Sequence, residues 1–342
     1  MKPFTILIYG LGSIGTCLAI ALKRAGCEVL AVGRAPHIDV ARTQGLKRIG
    51  IWDQLSCGPI DARPTAAAFS KQDLAPVDLA LFVLKSYDTQ EGIDELAPHL
   101  PATCPVFSMQ NGLGNDEIIA AKIGADRTYI ARLIFGAELP EPGVAKFTVW
   151  GDDIVAGPLQ LDAPSAALAL SRRLTDALTQ GGLPTKTLPA MGVRQAQWDK
   201  LFYNAALNST GAVLNATYGA LAANPGTREI MNNIIAEGHA VAVASGVQLR
   251  LGTLEKQLEF FYTKQIPPTA AHFPSTLYDL KRPRSGKSAS AKGGRKQTEI
   301  GALTGYIVRR GRELGVPTPV AAAMTALVEA REMEDTLPAN AR

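Results

Sequence analysis

The sequence predicts an α/β fold in its first half and a mainly α-helical fold in its second half. Short apolar runs alternate with helical stretches up to about residue 189, as a parallel sheet with crossover helices requires. From Met191 onward the spacing of the apolar residues is almost wholly helical. We therefore predict one domain over residues 1–189 and a second over residues 190–335, with the boundary near Pro189.

The first elements form a β-α-β unit. The run "FTILIYG" is a short strand that ends in glycine, "GSIGTCLAIALKRAG" is a helix that stops at Gly26, and "CEVLAVGR" is the second strand. "VDLALFVLKS" and "CPVFSMQNG" repeat the pattern of a buried strand followed by a polar turn. After Tyr129 the strand-like pieces "TYIARLIFGAEL" and "GVAKFTVWG" precede a helix across "SAALALSRRLTDALTQGG". The order of elements is that of an open sheet covered by helices.

Composition and charge exclude several classes of protein. The chain has 342 residues, 46% of them hydrophobic and 19% charged, so a folded globular protein is expected. Its net charge of +4 is local, because the segment from Lys281 to Lys296 holds seven basic residues and no acid. This segment is rich in Gly, Ser and Ala and lacks aromatic residues, which favours a solvated, mobile loop over a polyanion site. We expect no nucleic-acid partner.

The cellular location is predicted from two further features. No apolar run reaches the ~18 residues that a membrane span needs, and the N-terminus enters a strand without a signal-peptide pattern. The four cysteines form no C-x-x-C pair and fit buried thiols in a reducing compartment: Cys17, Cys27, Cys57 and Cys104. We expect a cytoplasmic protein without a membrane partner, and we assign no residue to a metal.

A glycine-rich motif lies between the first strand and its helix. The first glycine permits a tight turn, the second lets a pyrophosphate approach the backbone, and the third lets helix and strand pack closely. The helix N-terminus supplies N–H groups and a dipole for the phosphates. In this context the motif predicts dinucleotide binding by a Rossmann-type, doubly wound sheet, through Gly10, Leu11, Gly12, Ser13, Ile14 and Gly15.

The end of the second strand indicates which dinucleotide is bound. Folds that prefer NAD place an acid there for the ribose hydroxyls. This sequence has Arg34 instead, in "AVGRAPH", and a guanidinium suits a 2′-phosphate through forked hydrogen bonds. The alternative is a surface cation, but at this position the arginine favours NADP(H).

The predicted helix "KLFYNAALNSTGAVL" carries a column of polar side chains. Lys200, Asn204 and Asn208 are four residues apart, so they lie on one face. One ammonium and two carboxamides can donate to a carbonyl oxygen and hold neighbouring hydroxyl or carboxylate groups. The alternative is a solvent-facing lysine with asparagines that pair with backbone groups, and the column by itself would favour this alternative.

Together these features resemble the ketopantoate reductases (2-dehydropantoate 2-reductases), from the first strand to about Pro319. The residues that carry the resemblance are "GLGSIG", Arg34, "LKSYDT", "QNGLGN", "WDKLFYNAALNSTGAVL", "PSTLYDL" and "KQTEIGALTGYIVRRGRELGVPTP". Their combination is specific, although each piece alone is not. The resemblance implies NADPH-dependent reduction of ketopantoate to pantoate, a step towards pantothenate and coenzyme A.

The resemblance also implies roles in the helical domain. Lys200 corresponds to the general acid that protonates the 2-keto oxygen as hydride arrives. Glu299 corresponds to a carboxylate that contacts this lysine or the substrate oxygen. Asn204 and Asn208 correspond to substrate-binding positions, and Ser275 corresponds to a hydroxyl that donates to the substrate carboxylate.

Two more residues of the resemblance lie in the nucleotide domain, and two features depart from it. Lys85 and Asn111 correspond to cofactor-binding residues that line the cleft, and Asn111 is assigned to the substrate as well. The link between the Ser275 and Glu299 motifs is longer than is usual in the family and contains "KRPRSGKSASAKGG". A further substrate asparagine of the family appears here as Tyr218, with Asn215 close by. Substrate identity is therefore less constrained than reaction type.

Three functions stay open at this point. The first is NADPH-dependent reduction of ketopantoate. The second is a related oxidoreductase for another 2-keto or 2-hydroxy acid, for which the basic segment and Tyr218 are the hints. The third is a non-catalytic protein that senses a dinucleotide, against which the presence of Lys200 and Glu299 argues. The partner is a small 2-keto acid, and a homodimer is one candidate assembly.

Overall fold

The computed structural model describes residues 4–281 and 297–333. The chain forms two compact units, which divide between Val193 and Arg194. Apart from Lys281, the basic segment for which the sequence predicts a mobile loop lies outside the described residues.

The N-terminal unit alternates strands and helices as predicted. Its strands are β1 (Thr5–Tyr9), β2 (Glu28–Val32), β3 (Leu46–Gly50), β4 (Leu55–Cys57), β5 (Asp61–Arg63), β6 (Leu79–Phe82), β7 (Val106–Ser108), β8 (Thr128–Glu141), β9 (Val144–Pro158) and β10 (Thr185–Thr187). Its helices are α1 (Ser13–Arg24), α2 (His37–Thr43), α3 (Lys71–Leu74), α4 (Thr89–Leu96), α5 (Asn115–Ile123) and α6 (Ser165–Gln180). Short 3₁₀ turns lie at Ala66–Ala68, Ser86–Asp88, Ala97–His99 and Ala125–Arg127.

These strands form a sheet in the order β4-β3-β9-β8-β7-β6-β1-β2-β5, with β10 beside β9. Strand β1 runs parallel to β2 on one side and to β6 on the other, and β7 and β8 continue in parallel beyond β6. The strand order therefore reverses between β1 and β6. In open α/β sheets, ligands bind beyond the carboxyl ends of the strands at such a reversal.

Both faces of the sheet are buried, which confirms the predicted doubly wound architecture. Ile6 and Ile8 of β1 belong to a core on one face, to which α1 and α6 contribute. Leu7 and Tyr9 belong to a second core on the other face, to which α4 and α5 contribute. Because successive side chains of a strand alternate between faces, a strand covered on both sides is apolar throughout.

The sequence predicted β1, β2, β6 and β7 but no strand between Leu46 and Arg63, where β3, β4 and β5 lie. The last two span only three residues each and mix exposed, half-buried and buried side chains. Such short, partly polar strands give no clear period-two pattern. The predicted pieces after Tyr129 form a long antiparallel hairpin of β8 and β9.

The C-terminal unit is helical over its described residues. Its helices are α7 (Ala190–Leu214), α8 (Tyr218–Ala223), α9 (Pro225–Ala244), α10 (Leu254–Phe260), α11 (Ser275–Lys281), α12 (Thr304–Leu314) and α13 (Pro319–Met333), with a π turn at Phe261–Gln265 and 3₁₀ turns at Pro267–Thr269 and Ile300–Ala302. Trp198 and Phe202 of α7 pack together and contact Tyr306 and His239. Within the described ranges, no helix combines the length and apolar character of a membrane span.

Candidate functional site

The glycine motif forms the turn between β1 and α1, and each glycine meets a different demand. Gly10 has φ +117°, and a Cβ there would lie 3.0 Å from the Val83 carbonyl carbon and oxygen. At Gly15 a Cβ would come within 2.1 Å of the Gly10 oxygen. At Gly12, by contrast, a Cβ would meet nothing within 4 Å. The first and third glycines are therefore required by packing, whereas the second faces open space that a pyrophosphate can occupy.

Helix α1 presents N–H groups without intrahelical acceptors at this turn. Its N-cap is Gly12, without a side-chain capping bond, and its first turn contains no acidic residue. The first intrahelical bond runs from the Thr16 N–H to the Gly12 oxygen at 2.8 Å. The preceding N–H groups, those of Ser13, Ile14 and Gly15, have no intrahelical acceptor and carry the positive end of the helix dipole. This arrangement suits a phosphate.

Leu11 contributes to the turn mainly through packing. Its side chain is 3% exposed, and the Gly10 and Leu11 N–H groups donate to the Val32 oxygen at 3.0 and 2.9 Å. A Cβ at Gly33 would lie 2.8 Å from the Leu11 Cβ. The turn is thus attached to the end of β2, which brings the residues after β2 to the same edge of the sheet.

Arg34 follows β2 by two residues and is exposed. The structure offers an internal comparison, because Arg63 ends the neighbouring strand β5. The Arg63 guanidinium pairs with Asp61 at 2.8 Å and Asp73 at 2.9 Å, so its charge is neutralised. Among the described residues, no carboxylate forms an ion pair with Arg34. Burial lowers the pKa of His37, and the nearby Arg34 guanidinium lowers it further.

Lys85 and Asn111 lie in the loops that follow β6 and β7. Lys85 precedes the 3₁₀ turn Ser86–Asp88, and Asn111 comes three residues after β7 ends; both are half-buried. Since β6 and β7 are parallel neighbours, these loops leave the same edge as the glycine turn and Arg34. Each residue predicted to contact the cofactor therefore lies at the carboxyl edge of the sheet.

A buried polar cluster joins these two loops, and sequence reasoning missed it. We call it the Thr89 cluster; its members are Thr89, Ser108, Gln110 and Asn115, with exposures of 0%, 5%, 7% and 4%. Gln110 Nε2 donates to Thr89 Oγ1 at 2.7 Å and to the Leu84 oxygen at 3.1 Å. Thr89 Oγ1 lies 2.8 Å from the Ser86 oxygen and 2.9 Å from Asn115 Oδ1.

Two further bonds complete the Thr89 cluster. Asn115 Nδ2 donates to the Asn111 oxygen at 2.9 Å, and Ser108 Oγ donates to Gln110 Oε1 at 3.3 Å. The cluster thus holds the carbonyl on each side of Lys85 and the carbonyl of Asn111 itself. Nothing in the separate motifs "LKSYDT" and "QNGLGN" shows that their polar residues meet.

The polar column predicted in the C-terminal unit lies on helix α7, as expected. Lys200 and Asn204 are half-buried, and Asn208 is 2% exposed. Ser275, the first residue of α11, donates from Oγ to Asn208 Oδ1 at 3.4 Å. The structure therefore brings together two predicted substrate-binding residues that are far apart in sequence.

Glu299 is buried at the start of the 3₁₀ turn Ile300–Ala302, with an exposure of 8%. Its preceding residue is attached to the last helix, because the Thr298 N–H and Oγ1 both donate to Glu332 Oε1, at 2.9 and 2.6 Å. The Ile300 N–H donates to Thr298 Oγ1 at 3.3 Å. The backbone on both sides of Glu299 is thereby restrained.

Tyr218, which stands where the resemblance predicts a substrate asparagine, and the nearby Asn215 both have structural contacts. Tyr218 is 7% exposed, its ring packs against Tyr203, and burial raises its pKa. Asn215 lies just beyond α7 with φ +52°, and its Oδ1 accepts from Lys281 Nζ at 2.9 Å. Tyr218 therefore belongs to the packing of this unit, and Asn215 connects the end of α7 to α11.

Comparison with known proteins adds independent information. The model of the family described as "Ketopantoate reductase PanE/ApbA" matches residues 6–160, and that of its C-terminal domain matches residues 192–332. The 2-dehydropantoate 2-reductase of Aquifex aeolicus is 33% identical over 331 residues, which cover 96% of each chain.

Solved structures are similar over almost the full length. A PanE/ApbA family ketopantoate reductase from Ralstonia eutropha is 27% identical, with a TM-score of 0.79 and coverage of 98% of this chain and 100% of that one. D-mandelate dehydrogenase in complex with NADH and anilino(oxo)acetate shares the fold, at 24% identity, a TM-score of 0.80 and the same coverage.

Proposed function

Because the chain belongs to the ketopantoate reductase family, we propose that it reduces 2-dehydropantoate to pantoate with NADPH, a step that supplies pantothenate and coenzyme A synthesis. The observation that carries this proposal is the 33% identity to a 2-dehydropantoate 2-reductase over 96% of both chains. The glycine turn and the residues of α7 supply the matching chemistry.

The carboxyl edge of the N-terminal sheet fits the cofactor. The open space in front of Gly12 and the N–H groups at the start of α1 receive the pyrophosphate. Arg34 receives the 2′-phosphate, because no carboxylate of the described ranges 4–281 and 297–333 pairs with it as Asp61 and Asp73 pair with Arg63. When bound, NADPH supplies the hydride.

The C-terminal unit supplies the proton and the substrate contacts. The Lys200 ammonium donates a proton to the 2-keto oxygen, and its positive charge stabilises the negative charge that develops there. Glu299, restrained by Thr298 and buried, orients this ammonium or the substrate oxygen. The Asn208 carboxamide and the Ser275 hydroxyl, already in contact, hold the carboxylate and hydroxyl groups of the acid.

The proposal is tested by the oxidation of NADPH in the presence of several 2-keto acids. The panel contains 2-dehydropantoate, pyruvate and phenylglyoxylate, each over a range of concentrations. We expect kcat/KM to be highest for 2-dehydropantoate by at least ~10-fold, a difference of ~1.4 kcal/mol in transition-state binding. A higher kcat/KM for another 2-keto acid would contradict the proposed substrate but agree with the proposed type of reaction.

A second candidate is the reduction of a different 2-keto acid. It is favoured by Tyr218, which packs in the core where the family has a substrate asparagine. The same panel separates this candidate from the first. NADPH binding without turnover of any acid would instead indicate a dinucleotide sensor and exclude both reductases.

The assembly and location are part of the proposal. We propose a cytoplasmic enzyme, since the four cysteines are free thiols and three of them are buried. A homodimer is the proposed assembly, and sedimentation equilibrium of the purified chain tests it. A single species at the mass of one 36.2 kDa chain would exclude the dimer.

A further inference from the structure

The Thr89 cluster lies at the carboxyl edge of the sheet, between two functional loops that leave the neighbouring strands β6 and β7. The loop after β6 carries Lys85, and the loop after β7 carries Asn111. The bonds of the cluster end on the Leu84 and Ser86 oxygens, on either side of Lys85, and on the Asn111 oxygen. A displacement of any member therefore moves a residue of the proposed cofactor site.

The loop of Asn111 needs such a restraint. Glycines with positive φ lie on its C-terminal side, Gly112 at +80° and Gly114 at +89°. Glycine has many accessible backbone conformations, so a loop that contains two of them does not hold one geometry by itself. The bond from Asn115 Nδ2 to the Asn111 oxygen closes this loop.

The composition of the cluster also favours a positioning role. Four polar side chains below 8% exposure must each be satisfied, and an apolar cluster of the same shape would be about as stable. Hydrogen bonds differ from apolar contacts in that they select one geometry. Gln110 Nε2 directs its two hydrogens to two acceptors, and this orients its Oε1 towards Ser108.

We propose that the Thr89 cluster positions Lys85 and Asn111 for cofactor and substrate, with the Thr89 hydroxyl as the central group. This inference rests on the proposed function of those two residues. Within the Thr89 cluster, the Thr89 hydroxyl forms hydrogen bonds with both Gln110 and Asn115. Its single hydrogen is shared between the Ser86 oxygen and Asn115 Oδ1, while its oxygen accepts from Gln110.

The test uses Thr89→Val, which keeps the shape of the side chain and removes the hydroxyl. Thr89→Ser restores the hydroxyl. The matched control is Thr128→Val, because Thr128 is also buried in the N-terminal unit, and its hydroxyl donates to the Gly124 oxygen at 2.8 Å, at the amino end of β8. The measurements are the Kd of NADPH by fluorescence titration, kcat and KM for the keto acid, and the Tm.

We expect Thr89→Val to raise the NADPH Kd and to lower kcat/KM, each by ~10-fold or more, since small misplacements of positioning groups have effects of this size. Thr89→Ser should keep its NADPH Kd and its kcat/KM within ~2-fold of the wild-type values, where a 10-fold change corresponds to about 1.4 kcal/mol. Thr128→Val should lose a similar amount of thermal stability and keep the wild-type Kd and kcat/KM. Equal kinetics in Thr89→Val and Thr128→Val would overturn the proposal.

If Thr89→Val does not fold, the proposal is tested with a second variant. Asn115→Ala removes the bond to the Asn111 oxygen and leaves the Gln110 bonds near Lys85 in place. It should lower kcat/KM more than it weakens NADPH binding, and an unchanged kcat/KM would contradict the proposal. If the wild type reduces no 2-keto acid, the proposed function fails, while the NADPH Kd of Thr89→Val still decides whether the cluster positions Lys85.

Discussion

Two groups of candidate residues, a backbone part in the N-terminal unit and a side-chain part in the C-terminal unit, differ in what forms them. At the carboxyl edge of the N-terminal sheet the proposed pyrophosphate contacts are made by the backbone, and they depend on Gly10, Gly12 and Gly15. In the C-terminal unit the proposed chemistry depends on side chains such as Lys200 and Glu299, which are far apart in sequence. A backbone site is sensitive to one added carbon atom, whereas a side-chain site is sensitive to the loss of one functional group.

The largest expected effect is on the side-chain part. Lys200→Ala should lower kcat by ~10² or more, the usual scale for a positioned general acid, while the Kd of NADPH changes little. Steady-state kinetics and NADPH titration measure the two quantities. The control is Lys186→Ala, because Lys186 is an exposed lysine that pairs with Asp153. Near-normal turnover of Lys200→Ala would show that Lys200 is not the acid.

Cofactor preference tests Arg34, a charged side chain at the backbone part. NADPH should bind more tightly than NADH, and Arg34→Asp should narrow or reverse this preference, because a lost charge-assisted contact to the 2′-phosphate costs ~1.5–3 kcal/mol. The ratio of the two dissociation constants is the measurement. Arg63→Gln is the control and should leave the ratio unchanged, since Arg63 is paired with two aspartates. Equal dissociation constants of the wild type for NADPH and NADH would contradict the proposal that Arg34 binds the 2′-phosphate.

Substitutions of two glycines in the same turn should affect stability and NADPH binding separately. Gly15→Ala places a Cβ against the Gly10 oxygen and should lower the free energy of unfolding by ~1–3 kcal/mol in urea. The Cβ added by Gly12→Ala has no atom within 4 Å, so the free energy of unfolding should change little. The affinity for NADPH should fall by ~10-fold, because this Cβ occupies the proposed pyrophosphate space. If Gly12→Ala bound NADPH normally, the open space would not be the pyrophosphate site.

The smallest effect is expected from the basic segment. Deletion of Ser285–Gly294, outside the described residues, should leave kcat/KM for the acid nearly unchanged, because Ser275 and Glu299 lie on either side of it. A segment that closed over an anionic substrate would behave differently. Its deletion would raise KM, and more so at low salt, where charge attraction is least screened.

Several features of the fold and of the site could be predicted from local sequence. The glycine motif, Arg34 and the strand-like runs around them all act within a few residues of one another, and the predicted β1, α1 and β2 are confirmed. The polar column of α7 follows from helical spacing alone. The family resemblance is confirmed by the matches over residues 6–160 and 192–332. The roles assigned to single residues stay predictions.

Other features depend on residues that meet only in the folded chain. The Thr89 cluster joins two motifs that look unrelated in sequence, and the Ser275 hydroxyl reaches Asn208 across the fold. Arg63 ends β5 and Arg34 follows β2, yet within the described residues only Arg63 has its charge neutralised by carboxylates, those of Asp61 and Asp73. Hydrogen bonds and ion pairs between distant residues have no periodic signature.

The sequence by itself determined the class of fold and the glycine turn, because backbone propensity, apolar periodicity and the lack of a Cβ are local properties. Only the tertiary structure decided which polar groups are buried together and which cation has its charge neutralised by neighbouring carboxylates. The physical reason is that burial turns an ordinary threonine or glutamine into a group that must find a partner, and that partner is chosen by the packing of strands and helices far away in the chain.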